Sequence, residues 1–169
     1  MREDDADFRA LFDEHYQRLF RYFQRQAGDA ELAADVVQEA FIRLYRRGAP
    51  PDDPVAWLIT VASNLFRNAR GTRSRRLRLL STERSARALG DPPESPDAKV
   101  TGAREAAAVR KALDVLGERD RQILLLRAEG YRYGEIATAL ALNEASIGTL
   151  LARAKRAFRT AYEELHNAP

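Results

Sequence analysis

Six arginines, Arg67, Arg70, Arg73, Arg75, Arg76 and Arg78, fall between positions 67 and 78 with no carboxylate among them. A guanidinium keeps its charge at every physiological pH and meets phosphate oxygens with a planar fork of donors. A run of one sign repels itself unless an anionic partner neutralises it, so the chemistry expected here is phosphate binding. A second basic group, Arg153, Lys155, Arg156 and Arg159, follows the small or polar residues Asn143, Glu144, Ala145, Gly148, Thr149 and Ala152. Hydrogen-bonding groups first and cations behind suit a helix that reads base edges with its start and holds phosphates with its tail. A solvated charged face is the plain alternative at both places. The net charge is only +3, although the sequence pI is about 9.4, so the asymmetry of sign is local. Nucleic acid is favoured over a membrane because the cluster does not lie opposite a strongly apolar helix face.

Catalytic chemistry has no comparable support. No nucleophile, base and orienting group converge in the sequence, and no phosphate-cradling glycine loop is present, so an enzyme is not expected. Cysteine is absent, which removes disulfides, thiolate metal sites and thiol redox switches. The two histidines, His15 and His166, stand far apart without neighbouring ligands, so neither metal nor cofactor is expected. The first seven residues are acidic, and no apolar run approaches the roughly 20 residues that a bilayer span needs. A cytoplasmic protein without membrane insertion is the expectation.

The elements that must position these residues are helices. Strict strand alternation is absent, and every long segment repeats apolar residues at three- and four-residue spacing. Phe8, Leu11, Phe12, Leu19, Phe20 and Phe23 form the stripe of a first helix that stops at Gly28; Asp29 then caps a second. This second helix carries Leu32, Val36, Val37, Ala40, Phe41 and Leu44 on one side and Asp35, Gln38, Glu39, Arg43 and Arg46 on the other. The stretch from Gly48 to Asp53, which includes Asp52, reads as a loop. Asp53 followed by Pro54 starts a third helix, which buries Leu58, Val61, Ala62 and Leu65 and continues into the arginine run.

Breakers and small residues then interrupt the pattern. The fold class is therefore all-α, with two small helical domains, 1–78 and 103–169, joined by a flexible linker over 79–102. In the second domain, Tyr133 to Leu140 and a helix capped by Asn143, with Ala141 and Leu142 between them, make a helix-turn-helix. Ile136, Ala137, Leu140, Leu142 and Ile147 fill its angle, and Leu150, Leu151, Ala154 and Phe158 continue the inward stripe.

Ala34, Asp35, Val36, Val37, Gln38, Glu39, Ala40 and Phe41 in sequence resemble the polymerase-binding signature of region 2 of the sigma-70 family. Ala56, Trp57 and Leu58, with Val61 to Asn64, resemble the segment that follows. Ala112 to Leu116, Arg121 to Arg127 and Tyr133 to Ala137 resemble region 4. Two such motifs in the right order, in a short chain without the regions between them, resemble the extracytoplasmic-function group. The resemblance implies a factor that binds bacterial core RNA polymerase through Asp35, Gln38 and Glu39 and directs it to promoter DNA. It implies that Gly48, Asp52, Asp53 and Asn64 serve the capture of a flipped minus-10 base, with Arg67, Arg70, Arg73, Arg75 and Arg76 on the melted strand. Asn143, Glu144, Ala145, Gly148, Thr149, Arg153 and Arg156 are then the minus-35 surface, and an anti-sigma protein is an implied partner.

One departure stands out: Gly148 and Leu150 occupy positions where members of the group often carry lysine or arginine. Either Asn143, Glu144 and Thr149 do more of the reading, or the backbone approaches DNA closely at Gly148. The rival reading is a conventional helix-turn-helix regulator that acts without polymerase.

Overall fold

The computed structural model describes residues 3–83 and 100–167, and among these every regular element is an α-helix. The first helix, α1 (Glu3–Ala27), is stopped by Gly28, whose φ of 65° an L side chain adopts only with strain. Asp29 then sits in extended conformation, and its carboxylate accepts the Leu32 N–H at 3.1 Å, starting α2 (Ala30–Arg47). The third helix, α3 (Pro54–Glu83), begins on the Asp53 carboxylate, which accepts the Ala56 N–H at 2.9 Å. The three helices form a bundle around Leu19, Tyr22, Phe23, Val37, Leu58 and Ile59, all fully buried. Phe12, expected inside, is 36% exposed, and Tyr22 takes the place at the centre instead.

Four helices follow: α4 (Val100–Val115), α5 (Glu118–Ala128), α6 (Tyr133–Leu140) and α7 (Glu144–Asn167). Here α7 is the hub, packed against α4, α5 and α6. Both α5 and α6 end in the same way. Beyond α5, Gly130 is left-handed, with Tyr131 N–H bonded to Leu126 O and Gly130 N–H to Arg127 O. Beyond α6, Ala141 takes that role at φ 53°, with Leu142 N–H bonded to Ala137 O and Ala141 N–H to Thr138 O. An alanine there costs about 1 kcal/mol relative to glycine, and the two closing bonds hold it.

One boundary shifts. The linker is expected over 79–102, but α3 continues to Glu83 and α4 starts at Val100, so helix enters it from both sides; 84–99 lie outside the described residues. The two bodies, whose relative placement the sequence leaves open, are in contact. α6 packs on α3 and α5 on α1, and one apolar cluster runs from Leu19 and Leu58 through Ile123, Tyr131 and Ile136 to Ile147.

Candidate nucleic-acid interface

The ridge on α2 is where a 3.6-residue period puts it. Val36, Val37, Ala40 and Phe41 point inward, which leaves Asp35 and Gln38 exposed and Glu39 half-buried on the opposite side. Glu39 is engaged: the Arg43 Nε donates to its carboxylate at 2.8 Å, one helical turn on. The face therefore offers a free carboxylate at Asp35, an amide at Gln38 and a compensated ion pair at Glu39.

The loop over 48–53 opens on Gly48, left-handed at φ 78°, which lets the chain leave α2 sharply. Asp52 is exposed and Asp53 half-buried, the latter committed to capping α3. Trp57 is half-buried against the core, with the Arg47 guanidinium 5.9 Å from its ring centroid. Thr60 and Asn64 follow at one-turn intervals. The exposed Asn64 amide oxygen accepts from Arg67 at 3.1 Å, leaving its NH2 available.

Beyond Phe66 the helix leaves the bundle, and the arginines point away from any core. Their surroundings differ. Arg70 lies 5.5 Å from the Phe66 ring centroid, and Arg67 and Arg70 border a cavity of about 170 Å³ whose far wall is Glu118, Arg121 and Gln122 of α5. Arg73 reaches back to Asp29, Nη1 to Oδ2 at 2.6 Å. The N–H of Leu32 and then Arg73 hold that carboxyl below the usual aspartate range. Arg75 and Arg76 are exposed. Counting all five as equally open cations is therefore too simple: Arg73 already has one terminal nitrogen engaged and its charge partly compensated by Asp29.

On α7, Asn143 caps the first turn, its side-chain oxygen accepting the Ala145 N–H at 3.0 Å. Ala145 and Thr149 are exposed, as are Arg153 and Arg156. Three of the residues expected on DNA are otherwise occupied. The Glu144 carboxylate lies 3.5 Å from where a side chain on Gly134 would begin, so it leans on the start of α6. Gly148 is half-buried and faces the Tyr133 ring, which a Cβ would meet at 3.7 Å, an ordinary contact distance. Arg153 is paired with Asp120 of α5, Nη2 to Oδ1 at 2.6 Å, an interaction between helices that periodicity within α7 cannot reveal.

Sequence reasoning missed a third set. Glu129, at the end of α5, has only 4% of its side chain exposed and faces Arg21 and Arg25 of α1 at 2.9 and 3.0 Å. The one hint was the i, i+3, i+7 spacing of Arg18, Arg21 and Arg25, and nothing in the pattern named the partner.

Comparison with known proteins agrees with this geometry. The family description Sigma-70 region 2 fits residues 11–76, and Sigma-70, region 4 fits residues 106–158. The ECF RNA polymerase sigma factor SigL of Mycobacterium tuberculosis (strain ATCC 25618 / H37Rv) is 35% identical over 95% of this chain and 91% of its own length. The ECF RNA polymerase sigma factor BldN of Streptomyces coelicolor is 31% identical over 91% of this chain and 59% of its own. The fold is shared with the sigma factor RpoE of Bartonella quintana, solved in complex with the anti-sigma factor NepR. That likeness has a TM-score of 0.65 at 19% identity and covers 93% of this chain and 97% of the other. With both regions in order along one short chain, and full-length relatives of this kind, the chain belongs to the extracytoplasmic-function sigma factors of the sigma-70 family, which direct RNA polymerase to promoters.

Proposed function

We propose that the three surfaces divide the work of initiation as follows. The α2 ridge, Asp35 with Gln38 and Glu39, grips core polymerase. The loop over 48–53 and the Thr60 to Asn64 face receive a minus-10 base, and the α3 arginines hold the opened strand. The start of α7 reads the minus-35 duplex through Asn143, Ala145 and Thr149, with Arg156 on phosphate. No chemical step is involved: extruding a base costs a few kcal/mol of stacking and pairing, and contacts to the exposed base offset it.

The observation that carries this reading is the exposure of Asp35 and Gln38 directly opposite the buried stripe of α2, within the stretch fitted by the region 2 family. A regulator sharing the helix-turn-helix alone has no use for that ridge. An anti-sigma protein that covers it is the matching negative control, in keeping with the complex in which RpoE of Bartonella quintana was solved.

Reconstitution with bacterial core polymerase on a promoter library, read out as start sites, tests the assignment. Asp35→Arg with Glu39→Arg should weaken the core complex at least tenfold while helix content stays the same. Undiminished binding would remove the ridge from the interface.

A further inference from the structure

The cavity of about 170 Å³ between α1, α3 and α5 has a lining that packing does not account for. Three guanidinium groups border it, Arg67 and Arg70 of α3 and Arg121 of α5, against a single carboxylate, Glu118. Three cations less one carboxylate leave an excess of two positive charges around one small space. None of the three is firmly compensated. Arg67 donates to the neutral Asn64 amide, Arg70 lies over the Phe66 ring, and Arg121 has Asp114 at 3.7 Å, a carboxylate itself 67% exposed to water. An ion pair so open to solvent offsets little of the repulsion among the cations.

Two polar atoms set the cavity apart from a charged crevice. Ser63 Oγ on the α3 side and Arg121 Nε on the α5 side are buried without a hydrogen-bond partner, and both residues line the cavity. Buried donors left unmet are costly, and native interiors supply them with a partner. Gln26 and Gln122 add carboxamides, while Phe23 and Phe66 give the cavity an apolar side. The wall from α5 is fixed against α1 by Glu129, which meets Arg21 at 2.9 Å and Arg25 at 3.0 Å, so Arg121 keeps its place opposite α3. The space is several times the roughly 30 Å³ that a water molecule takes in the liquid, and a tetrahedral oxyanion fits it.

We propose that this cavity binds a small phosphorylated molecule, whose terminal phosphate is held by Arg67, Arg70 and Arg121 with the Ser63 hydroxyl donating. A phosphate monoester carries a charge of about −1.5 to −2 at neutral pH, which matches the excess on the walls, and its three free oxygens suit guanidinium forks. The DNA backbone is a singly charged diester with chain on both sides, whereas a recess walled by three helices favours a terminal group. Gln26 and Gln122 can then hydrogen-bond to whatever the phosphate is attached to. Arg67 and Arg70 also belong to the proposed strand surface, but Arg121 does not, and the site requires neither polymerase nor promoter.

Calorimetric titration of the free, full-length protein at constant ionic strength tests this, with glycerol phosphate as the monoester and dimethyl phosphate as the backbone-like diester. Glycerol phosphate should bind saturably, at a single site per chain and at least tenfold more tightly than the diester. Equal affinities would make the cavity an extension of the nucleic-acid surface and overturn the proposal, as would the lack of saturable binding. Arg121→Gln should weaken glycerol phosphate binding at least tenfold. If that variant loses helix content, Arg67→Gln with Arg70→Gln, which changes only exposed side chains, decides the matter by the same criterion. Glu118→Gln, also at an exposed position, should tighten binding several-fold because it removes the opposing charge. Arg75→Gln with Arg76→Gln takes the same charge from α3 outside the cavity and should leave the affinity within about twofold at fixed ionic strength. A loss as large as that from the Arg67 and Arg70 pair would reveal diffuse attraction and remove the site.

Discussion

The two helices that carry the arginine surfaces are built on opposite plans. α7 is supported along its length, with Ile147, Leu151, Ala154 and Ala161 buried against α4, α5 and α6. α3 is buried in a core only in its first half. Its last fully packed side chain is Phe66, and Leu77, Leu79 and Leu80 stand 57%, 71% and 46% exposed, while Arg73 ties the outer half back to Asp29. On the proposed assignment, a surface that discriminates bases needs fixed donors and acceptors, which α7 would supply on a rigid element. A surface that holds single strands through phosphates needs charge and reach, which the outer half of α3 would supply.

The contrast makes predictions, taken from the largest effect to the smallest. Leu151→Ala in α7 and Leu58→Ala in the supported half of α3 should each cost about 2–5 kcal/mol in urea unfolding. The exposed Leu79→Ala should change stability by less than about 0.5 kcal/mol, and a large drop there would show that the outer half has a core after all. Arg73→Ala with Arg75→Ala and Arg76→Ala should slow promoter opening. It should also lower the log–log salt slope by about 0.7 for each single-strand phosphate that the variant leaves unneutralised; an unchanged slope would mean that these cations do not touch the strand. Removing the caps by Asp53→Ala or Asn143→Ala should cost about 1 kcal/mol each in thermal unfolding. Gly148→Ala should stabilise α7 by up to about 1 kcal/mol, since Tyr133 leaves room for a methyl. Should minus-35 binding fall in that stabilised variant, the obstacle is DNA approaching the backbone, and the basis of the glycine is settled.

The contact between the two bodies adds a pH dependence of known sign. Burial lowers the pKa of His15 below its ordinary 6.5; Glu14 opposes this, Arg18 adds to it by less, and Glu135 opposes it least. The unfolded chain therefore takes up the proton first. Stability from this site is complete above about pH 6.5 and is lost as pH falls below it, whereas in His15→Phe the thermal midpoint should lose that part of its acid sensitivity.

Much of the architecture was legible because it depends on local rules. Asp29, Asp53 and Asn143 cap the helices they were expected to cap, Gly28 ends α1, and the inward stripe of α2 is as read. What was not legible depends on pairs distant in sequence. Arg73 with Asp29, Arg153 with Asp120 and Glu129 with Arg21 join residues 33 to 108 positions apart, and no periodicity encodes such partners. The same holds for Phe12, whose spacing suits the core but which the lean of α1 on α2 leaves at the rim beside Phe41 and Tyr16. A charge read from sequence as free was, at Arg73 and Arg153, already spoken for.

The apolar cluster that crosses from Leu58 and Val61 to Ile136 and Leu140 has a thermal consequence. Separating the bodies would wet those side chains, and hydration of apolar surface raises the heat capacity. The free energy that holds the two bodies together therefore follows a curve in temperature rather than a single slope, with its own optimum, and weakens on cooling as well as on warming away from it.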